Sequence, residues 1–230
     1  MRSASSTQIP NTDSPLHLIW LLDFSSSMRA EGKPGSLEFA VREFADSVSR
    51  NLLGDGGSAA LGVACVVSVL GFSAEASWIC EEVPLADFAW SADWIPGPAP
   101  KATNLGAALR AVGRRLDGPQ AARPGPAPVL VLASDGQPTD DWIGGLQALN
   151  AVPWGRCSVR VGLRIGQDAQ NTVLESFAGP AAVCETENIG QTMLSALYEA
   201  APIRDSRTAE VNRVDPGDEF PPDEAASLEW

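Results

Sequence analysis

Leu18-Ile19-Trp20-Leu21-Leu22-Asp23-Phe24-Ser25-Ser26-Ser27 is an apolar run that ends on a carboxylate and then on spaced hydroxyls. Consecutive apolar residues bounded by polar ones fit a strand buried on both faces. A second run, Val129-Leu130-Val131-Leu132-Ala133, ends in Ser134-Asp135-Gly136. Both carboxylates therefore stand where a buried strand stops, the edge at which open α/β sheets bind ligands.

Outward from these runs, strand-like and helical patterns alternate. A strand near 16–22 leads to a helix near 35–53, where Leu37, Ala40, Val41, Phe44, Val48 and Leu52 recur at three- and four-residue steps. Residues 61–72 and 76–80, separated by Ser-Ala-Glu, predict a hairpin and hence one antiparallel edge strand. A Pro- and Trp-bearing connector over 83–101 opens into a helix from Asn104 to Leu116. Strand 129–133, helix 140–150, strand 158–165, helix 169–177, strand 181–184 and helix 188–200 complete the series. Such alternation predicts an α/β fold: a doubly wound, mostly parallel sheet with one antiparallel edge strand and helices on both faces.

At 230 residues the chain suits one large domain. Residues 1–14 are polar and aperiodic and predict a flexible arm, leaving a folded domain over 15–200. Residues 201–230 carry eight carboxylates against three arginines, net −5, and predict a disordered acidic tail unless a partner orders it. No apolar run approaches the roughly 18 residues of a membrane span, and the polar first residues lack the pattern of a secretory signal, so a cytoplasmic location is expected. A net charge of −13 disfavours nucleic acid and anionic membrane as partners, because either would be repelled. Cys65, Cys80, Cys157 and Cys184 stand singly with no Cys-x-x-Cys spacing, as expected of reduced, buried thiols.

Three separated pieces combine into one chemistry. In Asp23-x-Ser25-x-Ser27 the alternation puts three oxygens on one side of an extended turn. Thr103, in Lys101-Ala-Thr-Asn-Leu105, opens a helix at the same edge, and Asp135-Gly136 closes the second strand. Alone, Thr103 reads as an ordinary N-cap and Asp135 as the start of an Asp-Gly-x-Pro turn. Together they supply the carboxylates and hydroxyls that a hard divalent cation such as Mg²⁺ or Mn²⁺ takes as ligands.

Enzyme constellations are incomplete. A haloacid-dehalogenase-type site needs Asp-x-Asp-x-Thr, whereas Ser fills both later positions here. No Gly-x-Ser-x-Gly is present, and the single imidazole, His17, lies at the entry to the first strand. Glu31-Gly-Lys33-Pro-Gly-Ser36 lacks the glycine spacing of a phosphate loop and reads as a turn into the next helix. Asp140 and Asp141 suit the first turn of a helix better than acid/base work. For Trp90, Trp94 and Trp142, core packing and partner anchoring both stay open.

Asp23-Phe-Ser25-Ser-Ser27-Met28, Thr103-Asn-Leu-Gly106 and Ser134-Asp135-Gly136-x-Pro138-Thr139-Asp140 resemble the metal-ion-dependent adhesion site of von Willebrand factor A (VWA) domains. Val83-Pro-Leu-Ala-Asp-Phe88 and Pro138-Thr-Asp-Asp-Trp142 further resemble bacterial TerY-type VWA proteins, associated with tellurite resistance. The resemblance implies that Ser25 and Ser27 ligate the metal directly, Thr103 directly or through water, and Asp23 and Asp135 mostly through water. A remaining position would take an Asp or Glu from a partner protein. Ser26 departs from the family, which usually has Gly there. The resemblance implies a non-catalytic scaffold of a bacterial stress-response or defence system, working with a protein kinase and a PP2C-type phosphatase. The alternative is a VWA subunit of a chelatase-like or MoxR-like AAA+ ATPase.

Overall fold

Side-chain alternation along β1 (Leu16–Asp23) feeds two cores at once. Leu16, Leu18, Trp20 and Leu22 join one apolar cluster; Ile19 and Leu21 join the other. A strand buried on both faces belongs inside a sheet that helices cover on each side. The remaining strands are β2 (Cys65–Phe72), β3 (Ala76–Pro84), β4 (Val129–Ser134), β5 (Val159–Arg164) and β6 (Val183–Glu185). Their order across the sheet is β3-β2-β1-β4-β5-β6, parallel throughout except for the antiparallel β2–β3 pair. The computed structural model describes residues 14–30, 32–51, 61, 63–95, 97, 100–118 and 125–201. The expected arm and tail, apart from Ser14 and Ala201, lie outside these residues.

The helices are α1 (Lys33–Asn51), α2 (Leu105–Leu116), α3 (Trp142–Ala151), α4 (Pro153–Arg156), α5 (Asn171–Ala178) and α6 (Ile189–Ala200). Leu37, Phe44 and Val48 of α1 and Met193 and Leu197 of α6 share the cluster of Trp20. Leu109 and Val112 of α2, Leu149 of α3, Trp154 of α4 and Phe177 of α5 share that of Leu21. The chain thus leaves β1 through α1 on one face toward β2, and reaches β4 through α2 on the other. β1 and β4 are neighbours, with Leu22 opposite Ala133, and the winding reverses between them. That reversal opens the crevice in which such sheets bind ligands. Among the described residues no helix is long and apolar enough to cross a membrane.

Several boundaries differ from the sequence reading for local reasons. β3 runs on to Pro84 because the Ser68 hydroxyl accepts the Glu82 N–H at 2.9 Å across a bulge where Glu82 has φ +54. α3 starts at Trp142, where the Asp141 carboxylate caps the Gly144 N–H. β6 starts two residues late, at Val183, because Pro180–Ala182 forms a 3-10 turn. Pro153 starts α4, a helical turn that periodicity did not signal. The connector is fastened by an aromatic chain, Trp20–Phe44–Phe88–Trp94–Trp90, with ring centroids 5.2–6.1 Å apart. Trp90 is therefore a core residue, and Trp94 and Trp142 are partly buried, Trp94 against the cluster of Trp20 and Trp142 against that of Leu21. All four cysteines are free; Cys65 is buried, its thiol pushed up to about 12 by desolvation, but Cys80, Cys157 and Cys184 are only partly buried.

Candidate metal centre

β1 delivers Asp23 fully buried at the sheet edge. The Ser25 N–H donates to its Oδ1 at 2.9 Å and the Ser134 hydroxyl donates to its Oδ2 at 2.6 Å. Burial raises the Asp23 pKa above the ordinary 3.8; the bonds from Ser134 and Ser25 oppose the rise, and the Asp135 charge adds to it. The Ser25 and Ser27 hydroxyls lie 3.0 Å apart, Ser25 buried and Ser27 half-buried. Ser26 points out to solvent in an ordinary right-handed conformation, φ −65 and ψ −30, so a serine costs nothing where a glycine was expected.

Hydrogen bonds close the three pieces into a triangle. Ser134, beside Asp135, donates to Asp23. The Ser26 N–H donates to the Pro100 carbonyl at 2.9 Å, tying the serine turn to the strand of chain that carries Thr103. Thr103 and Thr139 bond each other twice: the Thr103 N–H donates to Thr139 Oγ1 at 2.8 Å, and the Thr139 N–H donates to the Thr103 carbonyl at 2.9 Å. All five residues singled out by the sequence thus come to one end of β1 and β4. Thr103 is not the N-cap that its position allowed. Asp140 takes that role from a distance, accepting the Gly106 and Ala107 N–H groups at the start of α2 at 2.8 and 2.9 Å.

Asp135 is fully buried, and its two oxygens differ. Oδ2 accepts from the Lys33 ammonium at 3.2 Å, while Oδ1 is buried without a hydrogen-bond partner. A buried carboxylate oxygen with no donor carries a large desolvation penalty. A cation beside the Ser25 and Ser27 hydroxyls would relieve it, so the residues present fit a divalent ion. Among the described residues no group of three or more His, Cys, Asp or Glu side chains is placed to hold a metal. A cation here would draw on hydroxyl oxygens, as a hard ion accepts. His17 lies at the opposite end of β1, paired with Val66, and burial lowers its pKa.

Sequence reasoning placed Lys33 in a turn, Ser134 in the strand-end motif and Asp140 at a helix start, but did not foresee their contacts with Asp135, Asp23 and the start of α2. Lys33 had the clearest signal, since Pro34 marks a helix start one turn beyond the metal-site serines. For Asp140→Ala we expect a loss of about 1–2 kcal/mol in denaturant unfolding from the two uncapped N–H groups. Divalent-ion stabilisation should weaken with it, because Thr103 rides on the start of α2. An unchanged metal response would show that this cap does not position Thr103.

No family model and no curated protein matches the sequence. Solved structures do match. Proximal thread matrix protein 1 from the mussel byssus, with a zinc-occupied MIDAS motif, aligns at 18% identity and TM-score 0.54, covering 84% of this chain and 50% of that one. Manganese-loaded TRAP protein from Plasmodium vivax aligns at 14% identity and TM-score 0.53, covering 80% and 73%. A von Willebrand factor type A structure from Catenulispora acidiphila aligns at 15% identity and TM-score 0.53, covering 82% and 43%. The chain spans about half the length of the mussel protein. At these identities the likeness is one of fold, and the fold of this chain is that of von Willebrand factor A domains.

Proposed function

We propose that this chain is a metal-dependent protein-binding domain in which Asp23, Ser25, Ser27, Thr103 and Asp135 hold one divalent cation, Mg²⁺ or Mn²⁺. The observation that carries this reading is the unpartnered, buried Asp135 Oδ1 in a crevice shared with buried Asp23 and the paired Ser25 and Ser27 hydroxyls. The zinc and manganese in the mussel and Plasmodium structures support a divalent ion in this fold. When bound, the ion supplies an electrophilic position that a carboxylate oxygen of a partner can take. The chain's own part is to hold the oxygens in place: Ser134 and the Ser25 N–H orient Asp23, and the Thr103–Thr139 pair sets the second turn.

Binding without catalysis is the reading that the site chemistry favours, since among the described residues no imidazole or activated nucleophile stands at this edge. Within the fold, the stretches 83–88 and 138–142 support kinship with TerY-type proteins, and with it a kinase, a PP2C-type phosphatase and a bacterial stress or defence system. The test is capture of Asp- or Glu-containing peptides and their Asn or Gln counterparts on the immobilised full chain. Acid-containing peptides should be retained in Mg²⁺ and released by chelator, and amide counterparts should not bind. Equal retention with and without chelator would overturn the proposal.

A further inference from the structure

Lys33, the first residue of α1, sits against the candidate ligand Asp135 with a side chain only 5% exposed. Its ammonium reaches Asp135 Oδ2 at 3.2 Å and Asp168 at 2.8 Å. The two partners are unlike: Asp135 is fully buried, whereas Asp168 is 63% exposed on the β5–α5 loop and screened by water. Room for the lysine is built in. Gly166 takes a left-handed φ of +88, and a Cβ there would lie 2.5 Å from Lys33 Cε.

Charge counting shows what the lysine does. Asp23 and Asp135 bring two buried negative charges into one crevice, and a buried charge must be paired. Among the candidate ligands there is no positive group, and Lys33 supplies Asp135 with a counter-charge from within the chain. It engages Asp135 through Oδ2 and leaves Oδ1 buried without a hydrogen-bond partner.

We propose that Lys33 is an internal counter-ion and positioning residue for the metal centre: it stabilises the paired carboxylates in the absence of metal, holds Asp135 by Oδ2, and thereby lowers the centre's affinity for a divalent ion. This rests on the metal-binding reading above and deepens it. The compensation that Lys33 supplies is compensation that a bound ion no longer needs to supply. Removing it makes the fold more dependent on metal and the site more attractive to it, a coupling of the usual allosteric size.

The test compares wild type, Lys33→Met and Lys33→Arg, each as the full chain, by thermal melting in chelator and in Mn²⁺ and by calorimetric Mn²⁺ titration. Lys33→Met should melt lower than wild type in chelator, gain more from Mn²⁺, and bind Mn²⁺ roughly tenfold tighter. Lys33→Arg, which keeps the charge, should bind Mn²⁺ more weakly than Lys33→Met. A Lys33→Met chain that is unfolded in chelator but folds on adding Mn²⁺ also supports the proposal; one that folds in neither overturns it. A merely structural ion pair would lower both melts equally and leave Mn²⁺ affinity unchanged or weaker, which would sink the inference while wild-type binding upholds the metal reading. Wild type that binds no Mn²⁺ overturns both.

Discussion

Asp23→Asn should fold as well as wild type and lose its response to divalent metal. In the wild type, Mg²⁺ or Mn²⁺ at about a hundredfold excess over its dissociation constant is expected to stabilise by about 2.7 kcal/mol. For a domain of this size that raises the melting temperature by about 5–10 °C. The variant keeps an oxygen for the Ser25 N–H, so the turn retains its shape. It removes a buried charge whose pKa is raised chiefly by desolvation, so its metal-free stability should equal or exceed the wild type's.

The sign of the pH dependence follows from the same shift. A carboxyl whose folded pKa lies above its unfolded value costs stability when ionised, and that cost is relieved as pH falls through the folded value. Metal affinity moves the other way, because the proton competes for the same oxygen. Wild-type Mn²⁺ affinity should therefore fall on acidification, beginning at a higher pH than an ordinary Asp carboxyl would set. A metal-induced shift in Asp23→Asn as large as the wild type's would remove Asp23 from the site.

Gly145→Val should cost about 3 kcal/mol or more, measured by denaturant unfolding, and should abolish metal stabilisation too. α3 meets α2 backbone to backbone: a Cβ on Gly145 would lie 2.5 Å from Gly106 Cα and 2.7 Å from its carbonyl oxygen. No side chain can move aside to admit it, so the helices must separate. Separation breaks the bond from Arg110 to Asp141 at 2.7 Å and draws Asp140 off the start of α2. Thr103 then loses its setting, although Gly145 touches no candidate ligand. A stable Gly145→Val protein with a normal metal response would mean that α2 and α3 can part without disturbing the crevice.

What the sequence made legible was whatever local pattern controls. The two apolar runs announced β1 and β4, their terminal carboxylates announced the edge, and period-two spacing put Ser25 and Ser27 with Asp23. Thr103 was legible only in combination, since a threonine before a helix is ordinarily a cap. The structure shows why it is not one: Asp140, 34 residues beyond the Gly106 whose N–H it accepts, occupies the cap site. Lys33 and Asp135 are 102 residues apart, and Lys33 and Asp168 135 apart, so only the winding of the sheet brings them together. The bulge in β3 likewise depends on a cross-strand hydroxyl from Ser68, which strand periodicity does not reveal.

The most direct measurement is an anomalous difference map from crystals of the full chain grown with Mn²⁺. One peak per chain is expected between the hydroxyls of Ser25, Ser27 and Thr103, on the side of Asp135 Oδ1, and absent in Asp23→Asn. A second place that such an ion could choose is the neighbouring cleft of about 790 Å³, beside Asp168, Glu185 and Glu187. A peak in that cleft alone, or none at either place under saturating Mn²⁺, would contradict the metal centre.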